Sequence, residues 1–398
     1  MSQHVMNTYS RLPVTFVKGE GVWLWDDKGE KYLDALSGIA VTGLGHSHPD
    51  FVKAISEQAA TLMHVSNLYH IVEQEALADK LAEISGMDSV FFCNSGCEAN
   101  EAQIKLARLY AHNKGIENPE IIVMEQSFHG RTLATLSATG SRKAQAGFEP
   151  LVSGFVRVPF DDVDAVKQVA ARKNNVIAIL VEPVQGEGGI QVPADMNGYM
   201  NALRQICDDN EWLLMIDEVQ SGIARTGTWF AFQHTDVMPD TMALAKGLGS
   251  GVPIGACLAK GVAAEVLKPG KHGSTFGGNP FATKAGSTTL AIIEKQKLRE
   301  NAQAMGDFIH QQLAAAFEGN DAIVNIRHAG LMIGVELDRP CAELVKLALD
   351  NKLLINVTAD KVIRLLPPLV INQEEAQELV NRLATVVEHF IKSSLKAA

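Results

Sequence analysis

Short apolar runs alternate with helical segments from Val90 to Lys260, and this alternation restricts the possible folds more than any other feature of the chain. The runs lie at residues 90–93, 121–124, 155–158, 176–181, 212–216, 242–245 and 256–259. Most are apolar at every position, as strands covered on both faces require. Helical character is clearest over residues 98–114, 163–172 and 196–209. Strand followed by helix, repeated, predicts an α/β domain whose mostly parallel sheet is sandwiched by helices.

On either side of this region the pattern changes. Residues 1–20 read as irregular, and residues 22–25 and 31–34, separated by Asp26-Asp27-Lys28-Gly29, read as a β-hairpin. A Gly/His/Pro loop over residues 43–49 precedes an amphipathic segment at 51–63 and a helix at 72–84. Beyond residue 285 a long helical stretch (288–317) leads to short strands at 324–327, 331–337, 353–357 and 362–366. The final helix has Asn372 as N-cap, Glu375 three residues on, and one apolar stripe at 376, 379, 380, 383, 386, 387, 390 and 391. The expected division is an N-terminal segment (1–49), a large domain (50–285) and a smaller α+β domain (286–398). The hairpin has too little core of its own and is expected to pack with the smaller domain.

Composition excludes several classes of function. A chain of 398 residues with 46% hydrophobic and 20% charged residues has the material for a large globular fold. No apolar run approaches a membrane span, and the first residues carry neither the basic start nor the apolar core of a signal peptide. A net charge of -11 argues against nucleic acid as the main partner. Five cysteines, odd in number and set in apolar stretches, suggest a reducing compartment, so a cytoplasmic protein is expected. Neither the Cys93/Cys97 spacing nor His46-Ser47-His48 has a matching partner set, so no metal site is expected.

Two apolar runs each end in an ionisable residue: 212–216 stops at Asp217, and 242–245 stops at Lys246 before a Gly-rich turn. Ligands of open α/β sheets sit beyond the carboxyl ends of strands, which lets Asp217 and Lys246 face one ligand. Such a pair suits pyridoxal phosphate, the amine forming a Schiff base and the carboxylate pairing with the protonated ring nitrogen. The run ending in Asp217-Glu218 also resembles a Walker B strand, but no G-x-x-x-x-G-K-[ST] string occurs. Asn94-Ser95-Gly96-Cys97-Glu98 joins a strand to a helix, where open amides suit a phosphate, although Ser95 and Glu98 also form a capping box that needs no ligand. Phe128-His129-Gly130-Arg131 follows another strand, with a ring to stack on a flat cofactor and an arginine to fork onto a carboxylate. Arg364 lies in a strand that is otherwise core, and so needs a partner or a ligand.

Taken in order, NSGCEANE, FHGRTLATLSATG, VEPVQGEGG, LLMIDEVQSG, RTGTWFAFQH, LAKGLGSGVPIGA, HGSTFGGNP and RLLPPL resemble the class III pyridoxal-phosphate aminotransferases. Within that family they are most similar to the acetylornithine aminotransferases. The resemblance covers essentially the whole chain and implies a fold-type-I architecture and a homodimer with an active site shared across its interface. It makes Lys246 the Schiff-base lysine and Asp217 the partner of the ring nitrogen. Gly96 and Cys97 match the phosphate cup, Phe128 the stacking ring, Gln220 the residue near the phenolic oxygen, and Thr275 a hydroxyl reaching the other subunit's phosphate. Arg131 and Ser274 match substrate-binding positions. Arg364 matches the arginine for the glutamate α-carboxylate, and Glu187 the acid that pairs with it when glutamate is absent.

The chain departs from the family pattern at Cys97, where Thr, Ala or Val is more usual, and at Ile223-Ala224, where an aromatic or Met precedes Gly. Ile39 stands where ornithine aminotransferases tend to carry a Tyr facing a free α-amine. The resemblance implies transfer of the δ-amine of N2-acetylornithine to 2-oxoglutarate, giving the N-acetylated semialdehyde and glutamate. Its alternatives are another ω-aminotransferase acting on succinylornithine, ornithine or 4-aminobutyrate, or a pyridoxal-phosphate aminomutase. A binding protein without activity is disfavoured by the presence of Lys246, Asp217 and Arg131 together.

Overall fold

The computed structural model describes residues 4–397; residues 1–3 and 398, which the expected division assigns to its first and last units, lie outside the described residues. Among the described residues the largest sheet has seven strands, in the order Ser89–Cys93, Gly255–Ala259, Thr241–Leu244, Leu213–Asp217, Val176–Val181, Glu120–Met124 and Phe155–Val158. Gly255–Ala259 runs antiparallel to both of its neighbours, and the other pairings are parallel. The exception follows from chain length. Between Leu244 and Gly255 the chain forms only a turn, too short for the crossover that a parallel neighbour needs. Val176–Val181 and Leu213–Asp217 are buried at every position, which is why their sequences do not alternate in polarity.

The seven strands were legible in the sequence to within a residue or two, and one shift matters for the site. The strand expected at 212–216 is Leu213–Asp217, so Asp217 is its last residue and sits opposite Ala243 of the next strand. The strand expected at 242–245 is Thr241–Leu244, which leaves Ala245 to start the turn that carries Lys246.

Elsewhere the structure corrects the reading. Residues 1–20 are not all irregular, because Phe16–Glu20 is a strand paired with Trp23–Asp26. The helical stretch expected at 288–317 is two helices, Pro280–Lys295 and Leu298–Ala316, broken where Lys297 takes φ 53°. The first of them starts earlier than its periodicity suggested, at an Asn279 cap with Pro280 in the first turn. The strand expected at 353–357 is divided at Ile355: Leu353–Leu354 pairs in parallel with Lys31–Asp34, and Asn356–Thr358 pairs with Val362–Leu365. A helix at Leu344–Asp350 has under two turns, too few to show a period in sequence.

The N-terminal strands thus join the C-terminal part of the chain through backbone hydrogen bonds. The remaining sheet is antiparallel, in the order Ile323–Ala329, Met332–Leu337, Val362–Leu365, Asn356–Thr358. The final helix Gln373–Ala397 covers this region with its apolar stripe, all eight positions of which are buried. Its start is a reciprocal cap: Asn372 Oδ1 accepts from the Glu375 amide (2.9 Å), and Glu375 accepts from the Asn372 amide (3.1 Å). No helix among the described residues is long and apolar enough to cross a membrane.

Candidate active site

A cavity of about 330 Å³ opens at the carboxyl ends of the parallel strands, with Lys246, Asp217, Phe128, Gln220, Gly96 and Cys97 in its walls. Lys246 follows the Thr241–Leu244 strand and takes φ 40°, a left-handed conformation that costs a non-glycine residue about 1 kcal/mol or more. Its amine has no hydrogen-bond partner among the described residues. Burial lowers its pKa, and the positive charge of Arg364 lowers it further, against the opposing pull of Glu187, Asp217 and Glu182.

Three donors converge on the Asp217 carboxylate. Asn100 Nδ2 (2.7 Å) and His129 Nδ1 (2.8 Å) reach one oxygen, and the Val219 amide (3.0 Å) reaches the other. The carboxylate is buried and cannot turn without breaking one of these contacts. Beside it, Glu182 accepts the amides of Phe128 (2.9 Å) and Gly186 (3.3 Å), tying the ring-bearing loop to the Gly-rich loop. Burial, with the Asp217 charge adding to it, pushes Glu182 up to about 7.

The phosphate-like corner is the start of the Gly96–Asn113 helix. Ser95 Oγ accepts the Glu98 amide (3.2 Å), which is half of the capping box read from the sequence, while the Glu98 carboxylate accepts the Asn94 amide (2.8 Å) in place of the Ser95 amide. The cap and a ligand site are compatible, because the amides of Gly96 and Cys97 ahead of it keep no partner among the described residues. At Gly96 a Cβ would lie 2.7 Å from Val219, so only glycine lets the loop close here. The Cys97 thiol turns away and accepts the Arg131 amide at 3.2 Å. That accounts for the unusual cysteine: its backbone faces the cavity, and its side chain braces a neighbouring loop.

Arg364, fully buried in its strand, reaches Glu187 at 2.6 Å, and Glu187 belongs to the Gly-rich loop after Val176–Val181. Asn356 (3.0 Å) and Gln220 (3.4 Å) complete the guanidinium's contacts. The two sides of the ion pair differ: the Arg364 side chain is 1% exposed and that of Glu187 is 35% exposed. Thr358 donates to the Glu187 backbone carbonyl, so the loop backbone is held while its carboxylate reaches toward solvent.

Five of the expected site residues lie outside the cavity wall: Glu187 and Arg364, paired with each other, and Arg131, Ser274 and Thr275. Arg131 is exposed, lies 5.6 Å from the centre of the Phe128 ring and makes no ion pair among the described residues. Ser274 accepts from Asn94 (3.3 Å) and from the Gly277 amide (2.9 Å). Thr275 is exposed, next to an exposed Phe276. Conversely, His129, Asn100 and Glu182 belong to the site and were not singled out beforehand. The signals for them were their positions: Glu182 follows a strand end, His129 adjoins Phe128, and Asn100 lies one helical turn beyond Gly96.

The residues present fit an anionic, ring-bearing aldehyde. Open amides await a phosphate, a flat wall awaits a ring, an oriented acid awaits a ring nitrogen, and an amine of lowered pKa awaits a carbonyl. That combination defines the pyridoxal-phosphate enzymes built on a parallel sheet.

Comparison with known proteins narrows the class. The aminotransferase class-III family matches residues 5–387, and the chain belongs to that family, whose cofactor is pyridoxal phosphate. An acetylornithine aminotransferase of Nitrosomonas europaea is 61% identical over 99% of this chain and 100% of its own length. Among solved structures, an ornithine aminotransferase of Toxoplasma gondii superposes with a TM-score of 0.94 at 33% identity, covering 98% of this chain and 94% of its own. An acetylornithine aminotransferase of Elizabethkingia anophelis does so with 0.86 at 36% identity, covering 97% and 96%.

Proposed function

We propose that this aminotransferase moves the δ-amine of N2-acetylornithine to 2-oxoglutarate, yielding N-acetylglutamate 5-semialdehyde and glutamate on the route to arginine, in the cytoplasm. The observation that carries this reading is the Arg364–Glu187 pair. One substrate has a single carboxylate and the other has two, and both must use one pocket. A buried arginine left without a counter-charge would be costly, so the donor with one carboxylate needs Glu187 in place. The dicarboxylate supplies its own second charge, and Glu187, exposed enough to swing outward, then yields Arg364 to it. Arg131, exposed beside Phe128 and without an ion pair among the described residues, would serve the carboxylate common to both substrates.

When bound, the cofactor supplies a carbonyl that takes up amines and a ring that stores the electrons released. The protein supplies the rest. Lys246 Nζ, its pKa lowered by burial and by the charge of Arg364, is the group placed to move a proton between the substrate carbon and the cofactor when both are bound. Asp217, its carboxylate held by three donors, would face the ring nitrogen and favour its protonated form. Gly96 and Cys97 would hold the phosphate with their amides, Phe128 would cover a ring face, and Gln220 would lie toward the phenolic oxygen.

The same reading keeps the division at residue 49, although the cut at 285 falls inside the continuous Pro280–Lys295 helix, and takes a homodimer as the working unit. Its support is the exposure of Thr275 and Phe276 beside a group of exposed apolar residues, Leu62, Met63, Leu68, Tyr69 and Val72, which a second copy would cover. An amino-donor panel with 2-oxoglutarate tests the substrate assignment. Acetylornithine is expected to exceed ornithine and 4-aminobutyrate by about tenfold or more in kcat/KM, since a matched or mismatched pocket contact is worth about 1–3 kcal/mol. Preference for succinylornithine would move the assignment, and turnover without 2-oxoglutarate would make the enzyme an aminomutase.

A further inference from the structure

The acid at the centre of the site is the end of a longer chain of buried groups. Thr241 Oγ1 donates to Gln103 Oε1 (2.5 Å), Gln103 Nε2 donates to Asn100 Oδ1 (2.9 Å), and Asn100 Nδ2 donates to Asp217 Oδ2 (2.7 Å). Thr241 and Gln103 are fully buried, and Asn100 is 1% exposed. Water therefore cannot substitute for a lost link, and a broken one leaves a polar group stranded.

Donor and acceptor chemistry fixes the direction of the chain. A carboxylate only accepts, and so does the His129 backbone carbonyl, the other partner of Asn100 Nδ2 at 3.0 Å. The Asn100 amide is therefore locked with nitrogen toward Asp217 and oxygen toward Gln103. Gln103 must then donate with its own nitrogen, and its oxygen must face the Thr241 hydroxyl. Every proton points toward Asp217. The geometry suits this run: Asn100 and Gln103 share a face of the Gly96–Asn113 helix, and Thr241 pairs with Met215, two residues before Asp217 on its strand.

We propose that Asn100, Gln103 and Thr241 are positioning residues, a one-way hydrogen-bond relay that aims the Asp217 carboxylate at the cofactor's ring nitrogen. The proposal rests on the reading of Asp217 given above. Gln103 and Thr241 lie outside the cavity wall and act only through Asn100. The helix whose first amides would meet the phosphate thus also orients, from its next turn, the acid at the opposite end of the ring.

The test compares binding of pyridoxal phosphate with binding of its 1-deaza analogue, in which carbon replaces the ring nitrogen, to the full-length apoprotein by titration. Wild type is expected to prefer the natural cofactor, and Asp217→Asn to lose that preference. Thr241→Val and Gln103→Leu, which keep roughly the same volume, are expected to weaken pyridoxal phosphate by about two- to tenfold each and to leave the analogue's affinity unchanged. Thr241→Ser, which keeps the hydroxyl, should restore the wild-type preference. Equal weakening of both ligands by Thr241→Val would mean a packing role and would overturn the relay while leaving Asp217 in place. If Asp217→Asn weakens both ligands alike, the reading of Asp217 fails and the relay fails with it.

Discussion

At the scale of single residues, the chemistry turns on charges that burial has made conditional. Glu187→Gln removes the counter-charge but keeps the shape. On the proposed reading, Arg364 would then be free in both half-reactions and compete for the lone carboxylate of acetylornithine, whereas glutamate would satisfy it as before. Loss of one partner of a buried pair costs about 2–5 kcal/mol, and the partial exposure of Glu187 brings the expected effect toward the lower end. Selectivity between the two donors, read from single-turnover rates, should shift by at least about tenfold. An equal loss with both donors would make Glu187 a support of the loop and not a gate. Glu218 is a second conditional charge. It is buried, accepts from Ser221 (2.6 Å) and from the Phe232 amide (2.8 Å), and burial raises it to about 7 from an ordinary 4.5. The folded state holds this proton more tightly than the unfolded chain does. Its contribution to stability is therefore full below the unfolded value and is lost as pH rises through 7. Glu218→Gln, compared with wild type by urea unfolding of the apoprotein from about pH 5 to about pH 8, should show a flatter decline, by on the order of 1–3 kcal/mol over that window. Parallel curves would count against it.

At the scale of elements, the sequence was most legible where partners are implied by the element itself. Val176–Val181 is apolar throughout because both faces are covered, and the final helix displays its stripe and its cap within its own residues. It was least legible where the partner lies far away in sequence. LLINV reads as one apolar run, yet its first two residues pair with an N-terminal strand and residues 356–358 with a C-terminal one. Arg364 and Glu187 were tied together only by resemblance, because no local rule joins a loop to a strand so distant. Backbone conformation was equally hidden. Ser37, Gly38, Ile39 and Ala40 take φ of 46°, 64°, 69° and 60°, a single left-handed turn held by Asp34, whose Oδ1 accepts the Ser37 amide at 2.8 Å. Ile223 and Ala224, the departure from family pattern without an evident reason, are left-handed too, at 55° and 68°. A glycine as second residue carries no steric cost in this conformation, whereas the Ala224 methyl does carry one and is buried in the core. Ala224→Gly should therefore raise stability by roughly 0.5–1 kcal/mol, a few degrees at most in the apoprotein's melting temperature. A lower melting temperature would mean that the buried methyl packs better than it strains.

At the scale of the whole molecule, Thr275 gives the proposed dimer its sharpest consequence. If its hydroxyl serves the other subunit's phosphate, Thr275→Ala should weaken cofactor retention by about two- to tenfold and leave apoprotein unfolding unchanged, as its exposure in the single chain suggests. Full activity of a diluted monomer would refute the shared site. The joined ends of the chain carry a different implication, for the time before the molecule exists. Trp23 Nε1 donates to Glu375 across 352 positions, and the Lys31–Asp34 strand finds its parallel neighbour only at Leu353–Leu354. A ribosome adding about 5–20 residues per second keeps those first strands waiting for tens of seconds. Throughout that interval they present an unpaired edge to the crowded surroundings of the nascent chain. Closure of this fold is therefore a late event, and the N-terminal strands, first to be made, are among the last to be secured.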